Sequence, residues 1–169
     1  MDPLAHASIA LLAKPLAPKA PLWALIAATQ APDLLSFAFM AAGIERGAET
    51  RLDFAHGLQY LSPPSIAWSH GLVMSVAWAA LAGAIAYLFT RDRRTSAAIG
   101  LMPLTHWLLD FTVYRYMPIL FDNSTASGLG LITTPPGLIL GILMEIVLIG
   151  SGIAVCWITW KRNTARARD

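Results

Sequence analysis

One cysteine, Cys156, stands among 169 residues, so no disulfide within the chain can staple it. Charge is scarce too: Asp, Glu, Lys and Arg make up 13% of the sequence, against roughly 25% in soluble proteins, which excludes a disordered chain and a water-soluble globule. A formal net charge of +2 is too small for a nucleic-acid-binding body. There is no internal repeat, no coiled-coil heptad and no low-complexity tract beyond a basic tail over 161–169. What fills the chain is apolar: 56% of the residues, with a mean hydropathy of +0.58, the profile of a multi-pass membrane protein.

Four stretches, 22–43, 66–90, 96–121 and 137–160, are long enough as helices to cross about 30 Å of hydrocarbon. Asp33, Asp110, Arg115 and Glu145 are their only charged residues. Trp23, Trp68, Tyr87, Trp157 and Trp160 fall near the span ends, where amphipathic rings prefer the headgroup level. Lys14 and Lys19 precede the first span, Arg91, Arg93 and Arg94 join the second to the third, and Lys161, Arg162, Arg166 and Arg168 follow the fourth. The loops 44–65 and 122–136 carry no such excess, so the positive segments alternate as expected for cytoplasmic N and C termini. The pattern predicts an all-α, polytopic membrane protein. Residues 1–169 form one domain, a four-transmembrane-helix bundle in the cell's inner membrane, with 161–169 as a basic cytoplasmic tail.

Residues 3–13 are apolar with a helix-start signal at Asp2-Pro3, but too short to cross. They lack the basic lead of a secretory signal, and Lys14 interrupts where cleavage would fall. The reading is a short interfacial or re-entrant helix on the bundle, followed by a linker that Pro15, Pro18 and Pro21 keep from being helical throughout.

Ionisable groups in hydrocarbon cost several kcal/mol unless paired or hydrated, so each inside a span is a functional hypothesis. His106 and Asp110, at i and i+4, share one helix face, a spacing that suits two ligands of one metal or a structural His-Asp hydrogen bond. Asp33 and His70 offer the same ligand chemistry from two other spans. Pro32 precedes Asp33, Pro103 lies three before His106, and Gly71 follows His70, so the backbone is broken near each, as it is where helices line an enclosed cavity. His6, on the short first helix four residues after Asp2, is a further candidate. His56 reads as a solvated loop histidine. Arg115 can snorkel, pair with Asp110 or hold a substrate phosphate, and Glu145 is a more distant partner of the site or a separate proton-bearing group.

The order Met1-Asp2-Pro3-Leu4-Ala5-His6, Ala31-Pro32-Asp33, Ser69-His70-Gly71 and His106-Trp107-Leu108-Leu109-Asp110 resembles the YdjM-like family of inner-membrane metal-dependent hydrolases, which is distantly similar to the zinc phospholipase C and single-strand nuclease superfamily. The resemblance covers roughly residues 1–115. It implies that His6, Asp33, His70, His106 and Asp110 are metal ligands, with Asp33 also the catalytic base that activates water. Many relatives read Pro-Asp-x-Asp where this chain has Leu35, and carry a further His where it has Ser65 and Trp68, so one metal ion rather than two or three is the number carried over.

The leading expectation is therefore a membrane-bound metal-dependent hydrolase. Its metal is zinc, with manganese as the alternative, and its substrate is an amphiphile among the membrane lipids, a lipid or lipid-linked phosphoester approached from the outer half of the bilayer. The alternatives are a small proton- or ion-coupled transporter, in which the same side chains form an ion path, and a non-catalytic scaffold, in which they lock helix packing.

Overall fold

The computed structural model describes residues 3–121 and 127–166, with the side chains of 163–166 excepted. Asp2, read above as part of a helix start, and residues 167–169 of the basic tail lie outside the described residues. Six α-helices run in chain order: α1 (Pro3–Ala13), α2 (Leu22–Ala41), α3 (Ala67–His70), α4 (Leu72–Thr90), α5 (Arg93–Val113) and α6 (Pro135–Arg166). Between α2 and α3 stands an antiparallel hairpin of β1 (Glu49–Asp53) and β2 (Gly57–Ser62), and a 3-10 turn over Leu131–Thr133 precedes α6. The chain is mostly helical. The all-α expectation broadly holds, with this small hairpin added in the loop 44–65.

Three helices, α2, α4 and the portion of α6 over Pro135–Arg162, are long and apolar enough to cross a membrane. The expected third span differs. Its helix stops at Val113 rather than running to residue 121, because Tyr114 turns extended and Pro118 then bars a return to helix. The released segment caps a neighbour, since the Pro118 and Ile119 carbonyls accept from the backbone N–H groups of Leu72 and Val73, at 2.9 and 3.2 Å. These are two of the donors that the first turn of α4 leaves without a helical partner. The expected second span is likewise divided at Gly71, which is extended and separates α3 from α4. A Cβ there would lie 2.3 Å from the Ala67 carbonyl oxygen, so only glycine fits the junction.

α5 is the most buried helix of the bundle, with His106, Trp107, Asp110 and Val113 all inside. It packs along α4, where Gly83 and Gly100 bring the two backbones together: a Cβ on Gly100 would lie 3.0 Å from the Gly83 Cα. It also packs on α2. α1 lays one face on the bundle, burying Ala5, His6, Ser8 and Ala10 against α6, α2 and α5 while Leu4 stays exposed. Gly152 lets α6 approach it, since a Cβ at that position would stand 3.0 Å from the Ser8 carbonyl oxygen. The linker after α1 is tied by Lys14, whose Nζ donates to the carbonyls of Pro18 and Ala20 at 2.7 and 2.6 Å.

The hairpin lies at the end of the bundle away from Lys14, Arg93 and Lys161. At its tip Asp53 accepts from the Ala55 N–H at 2.8 Å and from His56 Nδ1 at 2.7 Å. This side chain adds to the backbone bond of the turn, in which the His56 N–H donates to the Asp53 carbonyl at 3.1 Å. The His56 contact, first among the causes, holds the Asp53 carboxyl below its ordinary value. Gly57 follows with φ of +82°, seated so closely on the 3-10 turn that an added Cβ would be 2.6 Å from the Thr133 carbonyl carbon.

Candidate metal centre

Each candidate side chain is delivered by a local device. Pro32 offers no N–H to the Ala28 carbonyl and loosens α2 in the turn that holds Thr29 and Asp33. The Thr29 carbonyl oxygen is 2.8 Å from His106 Nδ1. His70 is the last residue of α3, aimed inward by the break at Gly71. His106 and Asp110 share one face of α5, and His6 stands in the second turn of α1.

These five residues, all named from the sequence, converge. Asp110 Oδ1 lies 3.2 Å from His6 Nε2, and its Oδ2 lies 3.2 Å from His106 Nε2 and 3.7 Å from His70 Nε2. Asp33 Oδ1 is 3.3 Å from His70 Nε2 and 3.6 Å from His106 Nε2. The His6 ring stacks on that of His106 with centroids 3.7 Å apart. Two overlapping groups result, His6-His106-Asp110 and Asp33-His70-His106, and either could hold a metal ion. Because they share His106, and one ring nitrogen serves one ion, they make one centre.

Its protonation pattern follows from its partners. A carbonyl oxygen only accepts, so His106 Nδ1 carries the proton it gives to Thr29 and its Nε2 bears a lone pair toward Asp110. His6 is buried, 1% exposed; its Nε2 stands beside Asp110 Oδ1, and its Nδ1 has no hydrogen-bond partner among the described residues. Carboxylates and imidazoles thus crowd one point, an arrangement that protonation of the rings or a shared cation would relieve. The spacing suits one. A tetrahedral shell of donors at roughly 2.0–2.1 Å has edges of roughly 3.3–3.4 Å, and the pairs above run from 3.2 to 3.7 Å. The donor set could hold a metal ion, and Asp33 with Asp110 would balance the charges of a divalent one.

The centre forms the floor of a cavity of about 490 Å³. Asp33, His70 and Asp110 reach it, and Asp33 is the most open, with 31% of its side chain exposed. Its walls are apolar and aromatic, including Phe37, Met40, Ile66 and Met117, and β2 closes one side with Leu58 and Tyr60. Tyr60 meets Tyr116 edge to face at 4.9 Å between centroids, and burial pushes its phenol above the ordinary value. The cavity opens at the hairpin end of the bundle.

His56 is exposed at the hairpin tip, as expected of a solvated histidine. Arg115 is exposed on the segment after α5, and Glu145 stands half-buried on α6, both outside the two ligand groups. One residue escaped the sequence reading. Glu45, in the turn after α2, is buried at 6% exposure and accepts from Ser69 N and Ser69 Oγ at 2.8 and 2.6 Å. Ser69 Oγ lies in turn 2.8 Å from His70 Nδ1. The signal was slight: Ser69 directly precedes a candidate ligand, but nothing in the sequence marks Glu45 as buried.

Comparison with protein families, with characterised proteins and with solved structures finds no match for this chain.

Proposed function

We propose that this protein is a membrane-embedded metal-dependent hydrolase acting on an amphiphilic ester, of which a lipid or lipid-linked phosphoester is the leading class. The observation that carries the reading is the convergence of five donors from four helices at the floor of a cavity with apolar walls. His6, Asp33, His70, His106 and Asp110 would hold one zinc ion. Bound there, it would supply Lewis acidity, acidifying a water and polarising a phosphoryl or acyl oxygen. The chain's own part is to bind and orient. Phe37, Met40 and Met117 give an acyl chain an apolar wall. Asp33, the most open carboxylate, is the group to take a proton from a reactant in the cavity.

In this reading α5 is the fourth crossing, its polar side chains tolerated because the other helices enclose them. The basic segments hold the N and C termini in the cytoplasm of the cell, and the hairpin and cavity mouth face the other side of the inner membrane. The order of motifs shared with the YdjM-like family supports the same assignment.

The test is the metal content of protein purified in detergent without added metal, beside a His106→Ala, Asp110→Ala double variant, followed by assay of lipid phosphoesters in mixed micelles. About one zinc per chain, lost in the variant together with hydrolysis, is expected. No bound zinc or manganese in the wild type, even after either is offered, sinks the reading and favours proton-coupled transport or a packing role.

A further inference from the structure

Three histidines present Nε2 to the cluster, and two of them, His70 and His106, have the ring held at Nδ1 by different partners. His106 is oriented by a backbone carbonyl, which no side-chain change can turn from acceptor to donor. His70 is oriented by a hydroxyl, which can be either. The direction of that hydroxyl proton therefore decides which nitrogen of His70 is free.

Glu45 decides it. The Ser69 Oγ to Glu45 Oε2 distance of 2.6 Å is in the range of a hydroxyl donating to a carboxylate. The other acceptor within reach, the Ile66 carbonyl, is 3.4 Å away. With its proton on Glu45, Ser69 Oγ can only accept from the ring, so His70 Nδ1 carries the proton and, in the neutral ring, Nε2 keeps its lone pair. That lone pair faces Asp33 Oδ1 at 3.3 Å and His106 Nε2 at 3.3 Å. Glu45 is itself held in place. Its Oε1 accepts from Ser69 N, and the backbone of its neighbour Arg46 is bridged in both directions to Ser65, just before α3.

We propose that Glu45 is a positioning residue which, through Ser69, locks His70 in the tautomer that offers Nε2 as a ligand atom. The tautomer follows from Glu45 and Ser69 alone, while its value for metal binding rests on the function proposed above.

Glu45→Gln reverses the logic at nearly constant shape. If the amide oxygen keeps the Ser69 N–H, the NH2 group faces Ser69 Oγ. The hydroxyl then donates to His70 Nδ1, at 2.8 Å the nearer of its remaining acceptors against 3.4 Å for the Ile66 carbonyl, and the ring proton moves to Nε2, pointing into the cluster. The experiment is nitrogen-15 NMR of full-length, histidine-labelled protein in detergent after chelation, followed by zinc titration. The wild type is expected to show His70 protonated at Nδ1 and Glu45→Gln at Nε2. Zinc affinity of the variant should fall roughly 10–100-fold, the usual effect of losing such an outer partner.

A general structural role for Glu45 would not move the proton between ring nitrogens, so an unchanged Nδ1–H in Glu45→Gln overturns the proposal, as does Nε2–H in the wild type. Should that variant fail to fold, Ser69→Ala carries the same test. Without the hydroxyl the ring loses its single tautomer, and a retained, pure Nδ1–H form is the overturning result. If the wild type binds no zinc, the metal reading falls while the ring signals still decide the relay.

Discussion

The Nε2 atoms of His70 and His106 face each other at 3.3 Å, while Ser69 and the Thr29 carbonyl hold the Nδ1 of each ring on its far side. Each ring is thus held from both sides, and in the metal-bound reading proposed above a cation between them would stabilise the fold. Ligand that binds only the native state adds about 4 kcal/mol at a thousand times its Kd. Chelation should therefore lower the thermal midpoint of the wild type and leave the His106→Ala, Asp110→Ala variant unmoved. Equal shifts in both would show that the chelator acts elsewhere.

Asp33 differs from Asp110 in being partly open to the cavity. Replaced by Asn it keeps its shape and an oxygen donor but loses its capacity for a proton. Hydrolysis should fall by roughly 100-fold or more, the range for a removed general base, even when excess zinc restores full occupancy. Full activity at full occupancy would reduce Asp33 to a ligand.

Gly57 is both left-handed in backbone and pressed on the Thr133 and Thr134 backbone. Gly57→Ala costs about 1–2 kcal/mol for the backbone alone, and the collision adds to it. The hairpin should lift from the 3-10 turn, so limited proteolysis should cut between residues 49 and 62 sooner than in the wild type while the helices persist. An unchanged cleavage rate would mean that the seat is not what holds the hairpin.

Asp92 caps α5, accepting from the Thr95 N–H at 2.9 Å, and Thr95, through its side chain first and its N–H second, holds the Asp92 carboxyl below the ordinary value of 3.8. A lowered folded pKa means that the ionised cap stabilises at every pH above the unfolded value, and that this contribution fades as pH falls through the folded one. The melting midpoint of Asp92→Ala should trail the wild type by a constant amount from neutral pH to about 5, and the gap should narrow below about 4. A gap independent of pH would remove the charge from the account.

The clustering of the candidate ligands was more legible in the sequence than the fold around it. His106 and Asp110 announce themselves by helical spacing, and Asp33 and His70 by the cost of a polar group in an apolar span. Glu45 gave no such signal, because its burial depends on the Arg46 to Ser65 bridge closing over it, a long-range pairing invisible to local pattern. The hairpin was obscured by its exposed, charged residues, although Leu52, Leu58 and Tyr60 alternate in register. The third apolar stretch was overextended for a related reason. Hydropathy cannot distinguish a helix from an apolar segment folded back to cap a neighbour, which is what residues 114–121 do.

His6, Asp33 and His70 each come from a different element, and α5 alone brings two donors. During synthesis the centre cannot close until α5 has been inserted, whatever metal is at hand. An ion held there is the clasp of a finished assembly rather than the seed of a nascent one. The last helix supplies no donor, yet by pressing Gly152 against Ser8 it keeps α1, and with it His6, from backing out.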